Sequence, residues 1–269
     1  MSKQKTIPQK VILAFSILLF LVFLVFPMFI IVKTSVFDSG TFTLKFYSDL
    51  IVKSGIGTAL KNSILISSVS GLLTTVLAFI PAYAINYTNI NKRVKKVFTT
   101  FITLPMLLPT ITYGFALMYS YGNAGLITRI LGFRVVRIYG IAGLIIGYVI
   151  YTLPISFMLL NNSMSYIDKK FMVVSRLLGD SSVKTFFVTV LRPLISTLAI
   201  SFIQSFTLSF TDYGIPAALA GNVELLSTNL YSAMLGSLPD FNSGSAISVI
   251  MLLPSVVSIL LIGWLNKYN

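Results

Sequence analysis

An all-α integral membrane protein of about six transmembrane helices is what this sequence predicts, on three observations. Hydrophobic residues make up 56% of the 269 positions and charged ones 10%, at a mean hydropathy of +0.91, whereas soluble domains average about 25% charged residues. Apolar runs long enough to cross a bilayer recur from the first tens of residues to the last. The lysines and arginines cluster between those runs rather than within them.

A bilayer core of roughly 30 Å takes about 20 mostly apolar residues per helix. Stretches of that kind cover 11–32, 59–85, 97–119, 141–160, 185–210 and 246–265. The second carries more Ser, Thr and Gly, as suits a helix packed among others. The first follows Lys3, Lys5 and Lys10 in the manner of a secretory signal. It is too long for one and has no small-x-small cleavage site, so it reads as a retained helix.

Basic loops tend to remain cytoplasmic, and that sets the expected orientation. With the N-terminus inside, thirteen of the twenty bases fall on cytoplasmic segments: Lys3, Lys5, Lys10, Lys92, Arg93, Lys95, Lys96, Lys169, Lys170, Arg176, Lys184, Arg192 and Lys267. Five of the seven acids fall on the other side, and both termini are expected in the cytoplasm. Arg129, Arg134 and Arg137 run against the rule. Two readings fit them: an amphipathic surface helix near 124–131 whose bases reach lipid headgroups, or a docking surface for an external partner.

With no cysteine and no histidine, disulfides, thiolate chemistry, His-ligated metals and Ser-His-Asp hydrolysis are excluded. The seven acids, Asp38, Asp49, Asp168, Asp180, Asp212, Glu224 and Asp240, place no pair in facing apolar spans. A membrane enzyme therefore lacks its reagents, and no catalytic or metal site is expected. The net charge of +13 is a topology signal rather than a nucleic-acid footprint, because the bases form no stripe with interleaved aromatics. Pro81, Pro105, Pro109, Pro154, Pro193 and Pro254 fall within or at the ends of the predicted helices, where kinks or interruptions follow from the missing N–H and the ring clash.

One segment differs from the rest. From Tyr166 to Pro193 charge is mixed with helical periodicity. Asp168 is a suitable N-cap, and Phe171, Val174, Leu177 and Leu178 fall on one face. Gly179 then stops the helix by accepting a left-handed conformation. The product is a short amphipathic helix, which either lies on the membrane or docks a partner.

The segment resembles the cytoplasmic EAA loop of binding-protein-dependent ABC importer permeases. That loop runs Glu-Ala-Ala, three residues, Gly, then about ten residues into an apolar helix opening near Leu-Pro. Gly179 matches the family glycine, Ser175 the second alanine, Leu177 and Leu178 the apolar positions before the glycine, and Asp180 and Ser181 the polar turn after it. Phe186, Val190 and Pro193 match the start of the next helix. Val173 and Val174 stand in place of the Glu and first Ala, and Arg192 precedes the proline. Leu104-Pro105 with Leu108-Pro109, Tyr113-Gly114-Phe115-Ala116, Asn123-Ala124-Gly125-Leu126, Tyr151-Thr152-Leu153-Pro154 and Thr211-Asp212-Tyr213-Gly214-Ile215-Pro216 are similar to the branch serving ferric iron, polyamines and aminophosphonates.

The resemblance implies a type I ABC importer-like fold, with residues 1–269 as one permease domain in a bacterial cell membrane and a coupling loop over about 162–192. Asp168, Phe171, Val174, Ser175, Leu177, Leu178, Gly179 and Asp180 would seat the helix on a separate ABC ATPase, in two copies. The chain holds no Gly-x-x-x-x-Gly-Lys-Ser/Thr loop, so ATP and Mg would bind that partner and no cofactor this chain. A second permease subunit, homologous or identical, or a fused half would complete the path, and an external solute-binding protein would select the solute. Some relatives are double-length, and an end at Asn269 just after the sixth helix fits a single subunit or a front half.

Polar groups in apolar spans tend to face the bundle interior. Asn62, Asn86, Asn161, Gln204 and Asp212 qualify, and Asn161, Gln204 and Asp212 are the candidates for the solute path. For the amides, hydrogen bonding between helices is the competing role. For Asp212 it is capping of the turn before Gly214. Gly143 and Gly147 form a small-x-x-x-small pair suited to close helix packing. An ATP-independent carrier or channel is the alternative, disfavoured by spans nearly free of acids and by the lack of an inverted repeat. A passive scaffold would leave the glycine-ended loop unexplained.

Overall fold

The computed structural model describes residues 7–53, 55–265 and 267. Among them, five helices are long and apolar enough to cross a membrane: Gln9–Val36, Ile56–Tyr87, Ile141–Tyr166, Ser182–Thr211 and Phe241–Leu265. A sixth span exists if the pair Lys92–Leu107 and Thr110–Leu131 is counted as one, and that pair is bent by 105°. Helix is the structure lipid permits, because every backbone N–H and C=O finds its partner within the segment. Lys3 and Lys5 lie outside the described residues.

The chain divides into two compact units. The first comprises the N-terminal stretch through Ile56 and Asn229–Leu252. Here α1 (Ile7–Phe20) and α2 (Phe26–Val36) are joined by a π-helical segment, Leu21–Val25, just before Pro27. A proline ring clashes with the carbonyl four residues earlier, and the wider π turn accommodates it. A two-residue hairpin follows, Phe37–Asp38 paired antiparallel with Thr41–Phe42, turning on Ser39 and Gly40, both at positive φ. The Tyr47 hydroxyl of α3 (Lys45–Lys53) donates to Ser35 Oγ at 2.9 Å. Asn242, at the start of α14 (Phe241–Leu265), donates to Phe37 O at 3.0 Å.

The second unit, Gly57–Thr228 with Leu253 onward, holds the candidate site. It contains α4 (Ile56–Tyr87), α5 (Lys92–Thr103), a 3-10 turn at Leu104–Leu107, α6 (Thr110–Tyr121), α7 (Leu126–Leu131) and α8 (Ile141–Tyr166). Then come α9 (Lys170–Leu177), α10 (Ser182–Phe186), a π segment at Phe187–Leu191, a 3-10 turn at Arg192–Leu194, α11 (Ile195–Thr211) and α12 (Gly214–Leu219). The start of α13 (Leu226–Leu235), as far as Thr228, and α14 from Leu253 complete the unit. Again a π segment precedes a proline, here Pro193, with one residue between them.

The predicted third span over 97–119 is interrupted between α5 and α6, where its prolines fall. Leu108 is extended at φ −94°, ψ 142° and Pro109 at φ −59°, ψ 146°, since a residue before proline is driven out of the helical region. The Tyr113 hydroxyl reaches back to Pro105 O and ties the two limbs. By contrast Pro81, Pro154 and Pro254 lie inside uninterrupted helices.

Two cores hold the unit. One joins Ile66 of α4 to Tyr113 and Leu117 of α6, Leu144 and Tyr148 of α8, and Ile215 and Leu219 of α12. The other joins Ala78 and Ala82 to Phe157, Leu160 and Met164 and to Val190 and Leu194. Small hydroxyls stitch the helices: Thr74 to Thr152 at 2.8 Å, Ser156 to Ser205 at 2.7 Å and Ser201 to Thr75 at 3.3 Å. Gly147 does not pair with Gly143 on one partner helix. A Cβ at Gly147 would stand 2.7 Å from Ile215 Cγ2, whereas one at Gly143 would strike Ile138 O of the preceding loop.

Candidate functional site

Helix α9 sits between two membrane spans, and its two ends are built locally. At its start, Asp168 Oδ1 accepts from Lys170 N at 2.9 Å, and Asp168 O accepts from Phe171 N at 3.2 Å. Asp168 thus satisfies the first N–H of the helix from one residue ahead of the cap position, which Lys169 occupies. Lys169 lies over the Tyr87 ring, 5.7 Å from its centroid, tying this end to α4.

At its other end Gly179 has φ +86°. Its N–H donates to Arg176 O at 3.0 Å while Asp180 N donates to Ser175 O at 3.2 Å. These two bonds, five-to-two and six-to-one, define a Schellman turn with glycine at C′. A Cβ at Gly179 would meet nothing within 4 Å. Backbone conformation alone, rather than crowding, asks for glycine there.

The turn is then cross-braced. The Ser175 hydroxyl donates to Asp180 Oδ2 at 2.8 Å, and Thr185 Oγ1 stands 3.0 Å from Ser175 Oγ. An ionised carboxylate only accepts, so Ser175 spends its proton on Asp180 and Thr185 donates to Ser175. Asp180 Oδ1 also pairs with Lys184 Nζ at 2.5 Å. Hydrogen bonds from Lys184 and then Ser175 hold the Asp180 carboxyl below its usual range. Ser181 caps α10, accepting from Lys184 N at 3.3 Å. Thr185 was not singled out in the sequence, and Lys184 only as one of the cytoplasmic bases. The signal for them was there, a Ser181, Thr185, Thr189 series at helical spacing behind the cap.

The predicted apolar face is presented outward. Phe171 is 63% exposed, Leu177 82% and Leu178 78%, with Val174 exposed beside them, while Ser175 is buried on the opposite side. A cleft of about 550 Å³ runs between α9 and the following helix, lined by Phe171, Val174, Leu178, Val188 and Pro193.

The solute-path candidates separate. Asn86 Nδ2 donates to Asn161 Oδ1 at 2.8 Å and to Ala82 O at 2.9 Å, so this amide pair joins α4 to α8. Asn161 also lines a cavity of about 800 Å³ between α5 and α8, together with Thr99, Thr103, Phe157, Asn162 and Ser165. Gln204 is half-buried on α11. Asp212 caps α12: Oδ2 accepts from Ile215 N at 2.9 Å. Asn62 donates to Glu224 O at 3.1 Å.

Residues 74–269 match the family described as the binding-protein-dependent transport system inner membrane component. A protein of Haemophilus influenzae named as a ferric transport system permease is 28% identical over 245 residues, 89% of this chain and 38% of its own length. The ferric transport system permease protein of Actinobacillus pleuropneumoniae is 28% identical over 246 residues, 90% of this chain and 36% of its own. The chain thus spans little more than a third of the length of these relatives. The fold is similar to the crystal structure of a bacterial ABC transporter involved in the import of the acidic polysaccharide alginate, at a TM-score of 0.78, 16% identity and coverage of 96% and 93% of the two chains. With a multi-span helical fold, a glycine-ended helix between spans and a match over residues 74–269, this chain belongs to the family of inner membrane components of binding-protein-dependent transport systems.

Proposed function

We propose that this chain is a permease subunit of an ATP-driven solute importer, with α9 as the helix that couples it to a separate ABC ATPase. The observation that carries the reading is the outward apolar face of α9, Phe171, Val174, Leu177 and Leu178, held at a fixed angle by the Gly179 turn. A helix that merely covered a core would bury this face. Two ATPase copies, closing on ATP and Mg held in their own sites, would draw coupling helices together, and the braced corner would pass that motion to α10 and α11 as alternating access.

The two compact units are taken as parts of one permease domain, oriented with α9 and both termini in the cytoplasm. A second permease subunit or fused half completes the path, and an external binding protein delivers the solute. In this reading the cavity beside Asn161, which carries no charged side chain, and the Gln204 face of α11 offer the solute polar but neutral contacts. Asp212 serves the path indirectly by fixing α12.

The test is to purify the chain from its native host in mild detergent and identify co-purifying proteins by mass spectrometry, comparing wild type with Gly179→Asp. Wild type is expected to retain an ABC ATPase and the variant to lose it. An intact, monodisperse wild type that retains no ATPase would sink the proposal in favour of an ATP-independent carrier.

A further inference from the structure

Residues 122–140 join α6 to α8 and carry Arg129, Arg134 and Arg137 without one Asp or Glu. None of the three guanidinium groups has an ion-pair partner among the described residues. The segment is nevertheless anchored. Gly140 N donates to Leu219 O at 2.8 Å, Ile138 is buried in the core, and the Thr128 hydroxyl donates to Tyr121 O at 3.4 Å.

Between these anchors Arg134 and Arg137, with Tyr121, Asn123 and Tyr139, line a recess of about 290 Å³. Two guanidinium forks, an amide and two phenols make a donor-rich set with no carboxylate, the chemistry that recognises an oxyanion. Ile141 begins a membrane-spanning helix, so the recess stands at the end of a span, at the level of a bilayer surface. Leu126, Ile130, Leu131, Phe133 and Val135 are all exposed on the same segment. Uncovered apolar side chains beside unpaired bases are the pattern of a helix lying in the lipid interface. Their place at the end of a membrane span, where the bilayer surface lies, favours lipid over a protein partner.

We propose that Arg134 and Arg137 bind the phosphate of an anionic membrane lipid in this recess, seating α7 in the headgroup layer. The site is independent of the importer reading. It also explains why Arg134 and Arg137 break the charge rule on this side: they are lipid ligands, held in place by the fold, rather than determinants of insertion.

The test titrates the full chain in neutral detergent with phosphatidylglycerol and counts bound lipid by native mass spectrometry, for wild type and for Arg134→Gln with Arg137→Gln. At about fivefold per base, the pair is expected to weaken lipid binding roughly twenty-five-fold, and Arg134→Lys with Arg137→Lys to keep most of it. Should the Gln pair fold poorly, wild-type binding that is insensitive to added salt overturns the proposal, since headgroup attraction is screened. Displacement of the lipid by millimolar inorganic phosphate would assign the recess to free phosphate instead. Unchanged lipid binding with loss of an external protein partner would assign the bases to protein docking. Either result overturns it.

Discussion

Ser175 Oγ donates to Asp180 Oδ2 at 2.8 Å, closing a ring across the Gly179 turn that already contains the backbone bond from Asp180 N to Ser175 O. Side chain and main chain therefore fix the same angle. With Thr185 behind Ser175 and Lys184 behind Asp180, α9 and α10 form one rigid corner. Ser175→Ala keeps the helix but removes both hydroxyl bonds. A net hydrogen bond contributes about 1 kcal/mol, so with two removed amide exchange across residues 176–182 is expected to accelerate up to about thirtyfold. In a reconstituted importer, solute moved per ATP should fall while the ATPase still co-purifies. Unchanged exchange would show that the ring is ornamental.

Gly179→Ala tests the backbone alone, because a Cβ there meets no neighbour within 4 Å and only the φ of +86° is unfavourable. The left-handed conformation costs an L-residue about 1–2 kcal/mol. Thermal unfolding of the whole chain should barely move, while exchange at Gly179 and Asp180 should quicken. A large loss of global stability would contradict a purely local role.

Acidification acts on the same corner. The Asp180 carboxyl titrates below its usual value of 3.8 when folded, first because of Lys184 and then Ser175. Its bonds are therefore at full strength above that value and are lost as pH falls through the lower folded value. From neutrality down to about pH 4 the turn should show constant exchange protection, and below that it should loosen. Asp180→Asn should flatten the profile. A transition near pH 6 would mean that some other group governs the corner.

Leu177 is 82% exposed, so Leu177→Ser should leave folding and detergent monodispersity unchanged. If the apolar face docks on the ATPase, retention of that subunit should drop at least about tenfold, the scale of a single interface anchor. Equal recovery of ATPase would remove Leu177 from the interface.

Gly114 admits α12 against α6, since a Cβ there would lie 2.5 Å from Ala218 Cβ. Gly114→Ala should destabilise the helix cluster by about 1–3 kcal/mol through overpacking, read as a lower unfolding temperature in detergent. Gly57→Ala, with open space around it, is the matched control and should be neutral.

What the sequence determined by itself is whatever depends on neighbours along the chain. Apolar runs of sufficient length become spanning helices because lipid offers the backbone no other partner. Asp168 and Gly179 bound α9 because caps are satisfied within a few residues. The periodicity that puts Phe171, Val174, Leu177 and Leu178 on one face is a local property too, and the structure leaves that face uncovered. The resemblance to the importer family rested on this same segment, and the match over residues 74–269 extends well beyond it.

Tertiary structure decided the rest. Two prolines in the third run were legible as interruptions, but the 105° bend depends on Tyr113 reaching Pro105 and on α12 fitting against Gly114. Asp212 was legible as a path residue or a cap, and its Oδ2 accepts from Ile215 N, a bond compatible with either. Asn161 could have faced a solute alone, yet it accepts from Asn86, 75 positions away. Such pairings are set by helix angles and by which small residues permit close approach. Those are properties of several helices at once, and no stretch of one helix encodes them.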